Sequence, residues 1–206
     1  MRSSAGRIFE LGAGVALRAT RCTNNLPAPS DREQAMSDHD EAEPPDARRS
    51  NDPYERLKSL GIDLPKLHPP VGNFAHAVQY ADLLFVSGQG PRDAQGRLHT
   101  GKVGATISTQ QAYEHARLTG VNLLAVIHET LGSLARVRRV VKLLGLVNAS
   151  PDFTQHPKVI NGCSDLLIDV FGEEMGRHAR SAIGVASLPG QITVEIELIV
   201  AVYPST

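Results

Sequence analysis

Residues 179–203 read ARSAIGVASLPGQITVEIELIVAVY. From Ile192 onward the apolar residues fall on every second position: Ile192, Val194, Ile196, Leu198, Val200 and Val202. Strand side chains point alternately to the two faces, so the pattern predicts a strand over 192–203 with one apolar face. Its other face carries Thr193, Glu195 and Glu197. Leu188-Pro189-Gly190-Gln191 has the composition of a turn, and 179–187 reads as the strand before it. A simple hairpin about that turn sets 187 opposite 192, 184 opposite 195, 182 opposite 197 and 180 opposite 199. Arg180 then shares a face with Glu195 and Glu197. A guanidinium in that position can hold a carboxylate through two parallel hydrogen bonds, and a neighbouring glutamate can move a proton or hold a water. The same spacing also fits an Arg–Glu pair decorating a solvated sheet surface, where such pairs contribute little.

Upstream of this pair the chain alternates between strand and helix signals. Residues 54–60 read as a short helix closed by Gly61. Residues 74–80 and 83–87 read as two strands joined at Ala81-Asp82. The stretch from Gly88 to Gly104, with Pro91, is loop. Ser108 can cap a helix that ends at Gly132, with Ala112, Ala116, Leu123, Val126 and Ile127 along one stripe. Val137 to Val147 is rich in β-branched residues and reads as a mostly buried strand. Pro157 suits the first turn of a second helix reaching Phe171-Gly172, with Val159, Cys163, Leu166, Leu167 and Val170 on its apolar face. Two strands, helix, strand, helix, two strands describe an α+β fold with the two long helices packed on one face of a sheet.

Residues 1–50 have a different character. Arg2, Arg7, Arg18 and Arg21 are opposed there only by Glu10, and an acidic stretch from Asp31 to Asp46 follows with Pro44-Pro45. Too little apolar surface is present to offset the ordering entropy, so this segment reads as a disordered extension to a folded domain over 54–206. A transit peptide, or a true start at Met36, are the alternatives. The location read from the sequence is cytoplasmic, or an organellar matrix if residues 1–35 are a transit peptide.

Composition narrows the function. Lys and Arg total 21 against 22 Asp and Glu, so the chain carries no strong field for nucleic acid or a membrane surface. Trp is absent and aromatics make up 4%, which leaves no obvious platform for stacking bases. No apolar run approaches the ~20 residues of a membrane span. Cys22 and Cys163 lie in segments of different character and suggest neither a disulfide framework nor a metal knuckle.

Most local motifs fail on spacing. Gly88, Gly90 and Gly96 do not form a phosphate cradle. After His128-Glu129, Gly132 stands where a zinc motif needs its second histidine. Ser87-Gly88-Gln89 lacks the leading glycine of a nucleophile elbow. Cys163 on an apolar stripe reads as a core thiol. Arg136, Arg138, Arg139 and Lys142 read as a solvated strand entry, with a weak RNA contact as the alternative.

Taken in order, several pieces resemble one known family. Val86-Ser87-Gly88-Gln89 is followed by Pro91 and Gly96. Asn122-Leu123-Leu124-Ala125 lies on the first long helix, and Asn148 and Phe153 follow the strand Val137–Val147. Ala179-Arg180-Ser181, Val185-Ala186, Leu188-Pro189 and Val194-Glu195-Ile196-Glu197 close the set. Their order and spacing over about 70–202 resemble the Rid (YjgF-type) family. The resemblance implies a chorismate-mutase-like mixed sheet and a homotrimer with sheets around a central axis and active sites between subunits. It implies hydrolysis of enamine or imine intermediates to 2-keto acids and ammonia without metal or cofactor. Carried over by position, Arg180 holds the substrate carboxylate and Glu195 positions or activates water. Ser87 and Gly88 line the cleft, backbone near Ala182 meets the imine nitrogen, and Asn161 falls at a pocket position. Phe74 and Ala182 depart from the family's tyrosine and cysteine. That departure keeps a non-catalytic trimer for binding or sensing small carboxylates open as the alternative.

Overall fold

The structure, a computed structural model, describes residues 52–204. The readings made for residues 1–50 lie outside the described residues. Eight main elements follow in chain order: α1 (Pro53–Ser59), β1 (Ala77–Tyr80), β2 (Leu83–Gln89), α2 (Thr109–Leu131), β3 (Val137–Asn148), α3 (His156–Gly176), β4 (Ala179–Val185) and β5 (Val194–Val202). The strands form one mixed sheet in the order β1-β2-β5-β3-β4. Only β3 and β4 run parallel. This is the α+β architecture expected from the sequence, with α2 and α3 packed on one sheet face.

Local chemistry sets the helix ends. Ser108 accepts a hydrogen bond from the Gln111 N–H at 3.2 Å, and the Gln111 side chain accepts one from the Ser108 N–H at 3.0 Å. This reciprocal pair satisfies two N–H groups that the first turn of α2 leaves open. Gly132 closes α2 in the left-handed region with φ 77°. The helix α3 does not stop at Phe171-Gly172 as the sequence suggests. Gly172 breaks its geometry, and one further turn runs to Gly176.

The main correction concerns β4 and β5. They are not a hairpin, because β3 lies between them. Arg180 pairs with Leu143, and Leu143 pairs on its other side with Leu198. The cause is the crossover. A strand that leaves β3 through a helix of 21 residues returns parallel to it, on its free edge, while β5 occupies the other edge. Residues paired across a sheet point the same way, and Leu143 and Leu198 are core residues with 0% and 1% exposure. Arg180 therefore projects to the helix side, whereas Glu195, between buried Val194 and Ile196, projects to the other side. The predicted Arg180–Glu195 face-sharing is overturned within one chain. A smaller correction concerns β1, which starts at Ala77. Phe74 sits in the bend before it, where its N–H bonds the Gly72 carbonyl at 3.0 Å.

Leu84, Val140, Leu143, Ile196 and Val200 form the sheet side of the core, and Leu123, Ile127, Ile160, Leu166 and Leu167 form the helix side. The predicted stripes of both long helices are fully buried. The opposite sheet face is open, with Val78 at 57%, Tyr80 at 76%, Phe85 at 42% and Ile183 at 48% exposure. Among the described residues no helix is long and apolar enough to cross a membrane.

The two long helices touch most closely at Gly162. A Cβ there would lie 2.0 Å from the Tyr113 carbonyl oxygen of α2. Backbone cannot rotate away as a side chain can, so Gly162→Ala should force the helices apart. A loss of about 3 kcal/mol is expected, at the upper end for overpacked cores, read from the midpoint of urea unfolding.

Candidate functional site

Of the residues singled out by sequence, Phe74, Gly88 and Glu195 line one cleft and Asn161 and Arg180 another, while Ser87 and Ala182 line neither. The first, of about 400 Å³, is lined by Phe74, Gly88, Glu195, Leu67, Leu98 and Ile192 among others. The second, of about 390 Å³, lies along α3 and β4 and holds Asn161, Ser164, Asp165, His178 and Arg180.

In the first cleft, a bulge between Val86 and Gln89 disturbs the β2–β5 ladder. Gly88 sits within it, and the Glu195 side chain passes over its backbone: a Cβ on Gly88 would lie 2.3 Å from Glu195 Oε1. Only glycine leaves room for that carboxylate. Ser87 does not present a free hydroxyl, since its Oγ donates to the Ala75 carbonyl at 2.7 Å and ties β2 to the segment before β1. Asn122 braces the cleft floor through Nδ2, which donates to the Gly90 and Arg92 carbonyls at 3.2 and 3.0 Å. Burial pushes the Glu195 carboxyl above the usual range, and the neighbouring Glu197 charge adds to the effect.

In the second cleft, Arg180 is half-buried and held by α3. Its Nη1 donates to Asn161 Oδ1 at 2.8 Å and to Ser164 Oγ at 3.0 Å. Asn161 and Ser164 are three residues apart on a helix and so lie on one face. No carboxylate pairs with Arg180 among the described residues, and Nε and Nη2 make no hydrogen bond there. The nearest acid of the cleft, Asp165, accepts instead from the Tyr113 hydroxyl at 2.9 Å. Ala182 lies two residues further along the same face, beside Gly145, and packs against the core.

Sequence reasoning assigns no role to Ser164 or His178. The Ser164 hydroxyl lies 3.1 Å from His178 Nε2, and His178 Nδ1 lies 2.7 Å from the Gly176 carbonyl. The spacing of three from Asn161 was the signal available for Ser164. His178 had none, because its partner lies across a helix–strand break. Cys163, buried in the core, has its thiol pushed up to about 12 by burial and is inert. Among the described residues no group of His, Cys, Asp and Glu is placed to hold a metal.

A family model described as "YjgF/chorismate_mutase-like, putative endoribonuclease" matches residues 54–199. The protein TCP17 of Trypanosoma cruzi is 44% identical over 144 residues, 70% of this chain and 90% of that protein. The crystal structure of Atu1372 from Agrobacterium tumefaciens, of unknown function, is 43% identical with TM-score 0.66, and covers 72% of this chain and 92% of that one. A Shewanella oneidensis MR-1 structure, described as a "putative endoribonuclease", is 31% identical with TM-score 0.71, and covers 74% of this chain and 100% of that one.

The raised Glu195 pKa has a consequence for stability. The folded chain holds its proton above the ordinary value of 4.5, so stability falls as pH rises through that window. Glu195→Gln should be more stable than the wild type at pH 7, with the two converging below about pH 4.5, as read by thermal unfolding across pH.

Proposed function

This chain belongs to the YjgF/chorismate-mutase-like family, and on that premise we propose that it hydrolyses small carboxylate-bearing enamines or imines to 2-keto acids and ammonia. One observation carries the reading: Arg180 is a half-buried cation without a carboxylate partner among the described residues. Asn161 and Ser164 fix one corner of the guanidinium. The Nε–Nη2 edge remains for the two parallel hydrogen bonds a carboxylate accepts. A desolvated cation of this kind favours an anionic ligand.

Glu195, Gly88 and Phe74 belong to the other cleft. The family resemblance supports a homotrimer in which one copy's Arg180 cleft faces the next copy's Glu195 cleft. The open apolar face around Phe85, Tyr80 and Ile183 supports sheets packed against one another, since burial of such a surface stabilises association. In the closed site Glu195 holds the attacking water, and the burial that raises its pKa makes it a better proton acceptor there. Leu67, Leu98 and Ile192 line the space for the substrate side chain. The reading requires no cofactor. A second reading, a trimer that binds small carboxylates without turnover, is favoured by Phe74 and Ala182, which bring neither a hydroxyl nor a thiol.

Arg180→Ala should weaken pyruvate binding by about 1.5–3 kcal/mol, roughly ten- to a hundred-fold in Kd, and abolish ammonia release from an imino acid generated in situ. Calorimetry and a coupled ammonia assay read the two effects. An Arg180→Ala protein with full activity would remove the reading, and pyruvate binding without any turnover would leave the second one. Phe85→Glu places a charge in the sheet interface and should convert the trimer to monomers in sedimentation velocity.

A further inference from the structure

The second cleft contains more than an anchored arginine. His178 Nδ1 faces the Gly176 carbonyl, which can only accept, so Nδ1 carries the proton. Nε2 is then a bare acceptor, and the Ser164 hydroxyl donates to it. The same Ser164 oxygen accepts from Arg180 Nη1. A hydroxyl with a base on its hydrogen, a cation on its oxygen and a carbonyl fixing the base's tautomer has the wiring of an activated serine. Ser164 is 8% exposed, and its oxygen faces the cleft that contains Arg180.

We propose that Ser164 and His178 form a proton relay for the substrate held by Arg180, with Ser164 touching the reacting atoms and His178 acting through it. This inference rests on the reading proposed above and adds two residues to it. Water adds to the carbon of the protonated imine, and the carbon–nitrogen π pair moves to nitrogen. One water proton passes to Ser164 Oγ as the Ser164 proton passes to His178 Nε2, leaving a neutral carbinolamine and an imidazolium. The proton then returns by the same route to the amino nitrogen. The carbon–nitrogen bond breaks with its electron pair on nitrogen, the carbonyl forms, and the hydroxyl proton leaves with the nitrogen as ammonium.

The electrostatics suit this cycle. Burial holds the His178 pKa below the ordinary histidine value; the Gly176 bond opposes this, and the Arg180 charge lowers it further. The free site thus keeps His178 neutral and ready to accept. A carboxylate bound to Arg180 cancels that positive charge and makes His178 a better base when substrate is present. The other charged groups of the cleft are Arg177, paired with Glu173, and Asp165, engaged by Tyr113.

The test uses the full chain and an imino acid made in situ from leucine by an amino-acid oxidase. Ser164→Ala and His178→Asn should each lower kcat at least about tenfold, with KM for His178→Asn within about threefold of the wild type. Wild-type activity should fall on the acid side as His178 protonates, and that limb should vanish in His178→Asn. Ser164→Thr, which keeps the hydroxyl, should recover most of the rate. Wild-type turnover in Ser164→Ala, or an acid limb that persists in His178→Asn while Arg180→Ala is dead, overturns the relay but leaves the deaminase reading. If the wild type turns over no imine, that reading fails and nitrogen-detected NMR of His178 decides the relay. A titration midpoint that rises on adding pyruvate, and does not rise in Arg180→Ala, upholds the coupling; an unmoved midpoint overturns it.

Discussion

Helix α3 has to carry the chain from the end of β3 back to the start of β4, and that one crossover governs what the sheet can do. It makes β4 parallel to β3, puts β3 between β4 and β5, and turns Arg180 toward the helix layer. A hairpin in its place would have set the guanidinium among glutamates on the open face. There it would have been a solvated ion pair of small energetic value. On the helix side it meets Asn161 and Ser164 of the helix that delivered it, and no carboxylate neutralises it among the described residues.

The rotation of α3 is therefore part of the site. Gly162 lies against the Tyr113 carbonyl, and the stripe of Val159, Cys163, Leu166, Leu167 and Val170 is buried against α2 and the sheet. With those positions committed to the core, Asn161, Ser164 and Asp165 are left at the edge facing β4. Packing that stabilises the domain thus also aims the polar residues, and a shift of α3 would misplace Arg180 and Ser164 together. The break at Gly172 lets the chain turn so that His178, at the entry of β4, meets Ser164 one helix edge away.

The placement of Glu195 depends on an absent side chain. Glu195 occupies the space above Gly88, where the β2 bulge opens the ladder, and burial there raises its pKa. Two groups poised by burial, a carboxyl shifted up and an imidazole shifted down, sit on different clefts of one chain.

The sequence alone determined the order of the elements, α2 with both its caps, the first turn of α3, the buried stripes and the strict alternation of β5. These are periodic or local properties, set by side-chain direction and by the first and last turns of each helix, and they survive any arrangement of the pieces. It also singled out Arg180 and Glu195, through their place in an ordered set of family motifs. Tertiary structure decided which strand lies beside which, and so on which side Arg180 emerges, because alternation records which face of a strand is buried and not which strand is its neighbour. It alone paired Ser164 with His178: one reads as part of a helix interior and the other as a residue before a strand, and no periodicity links them. That contact exists only because α3 returns β4 along its own edge.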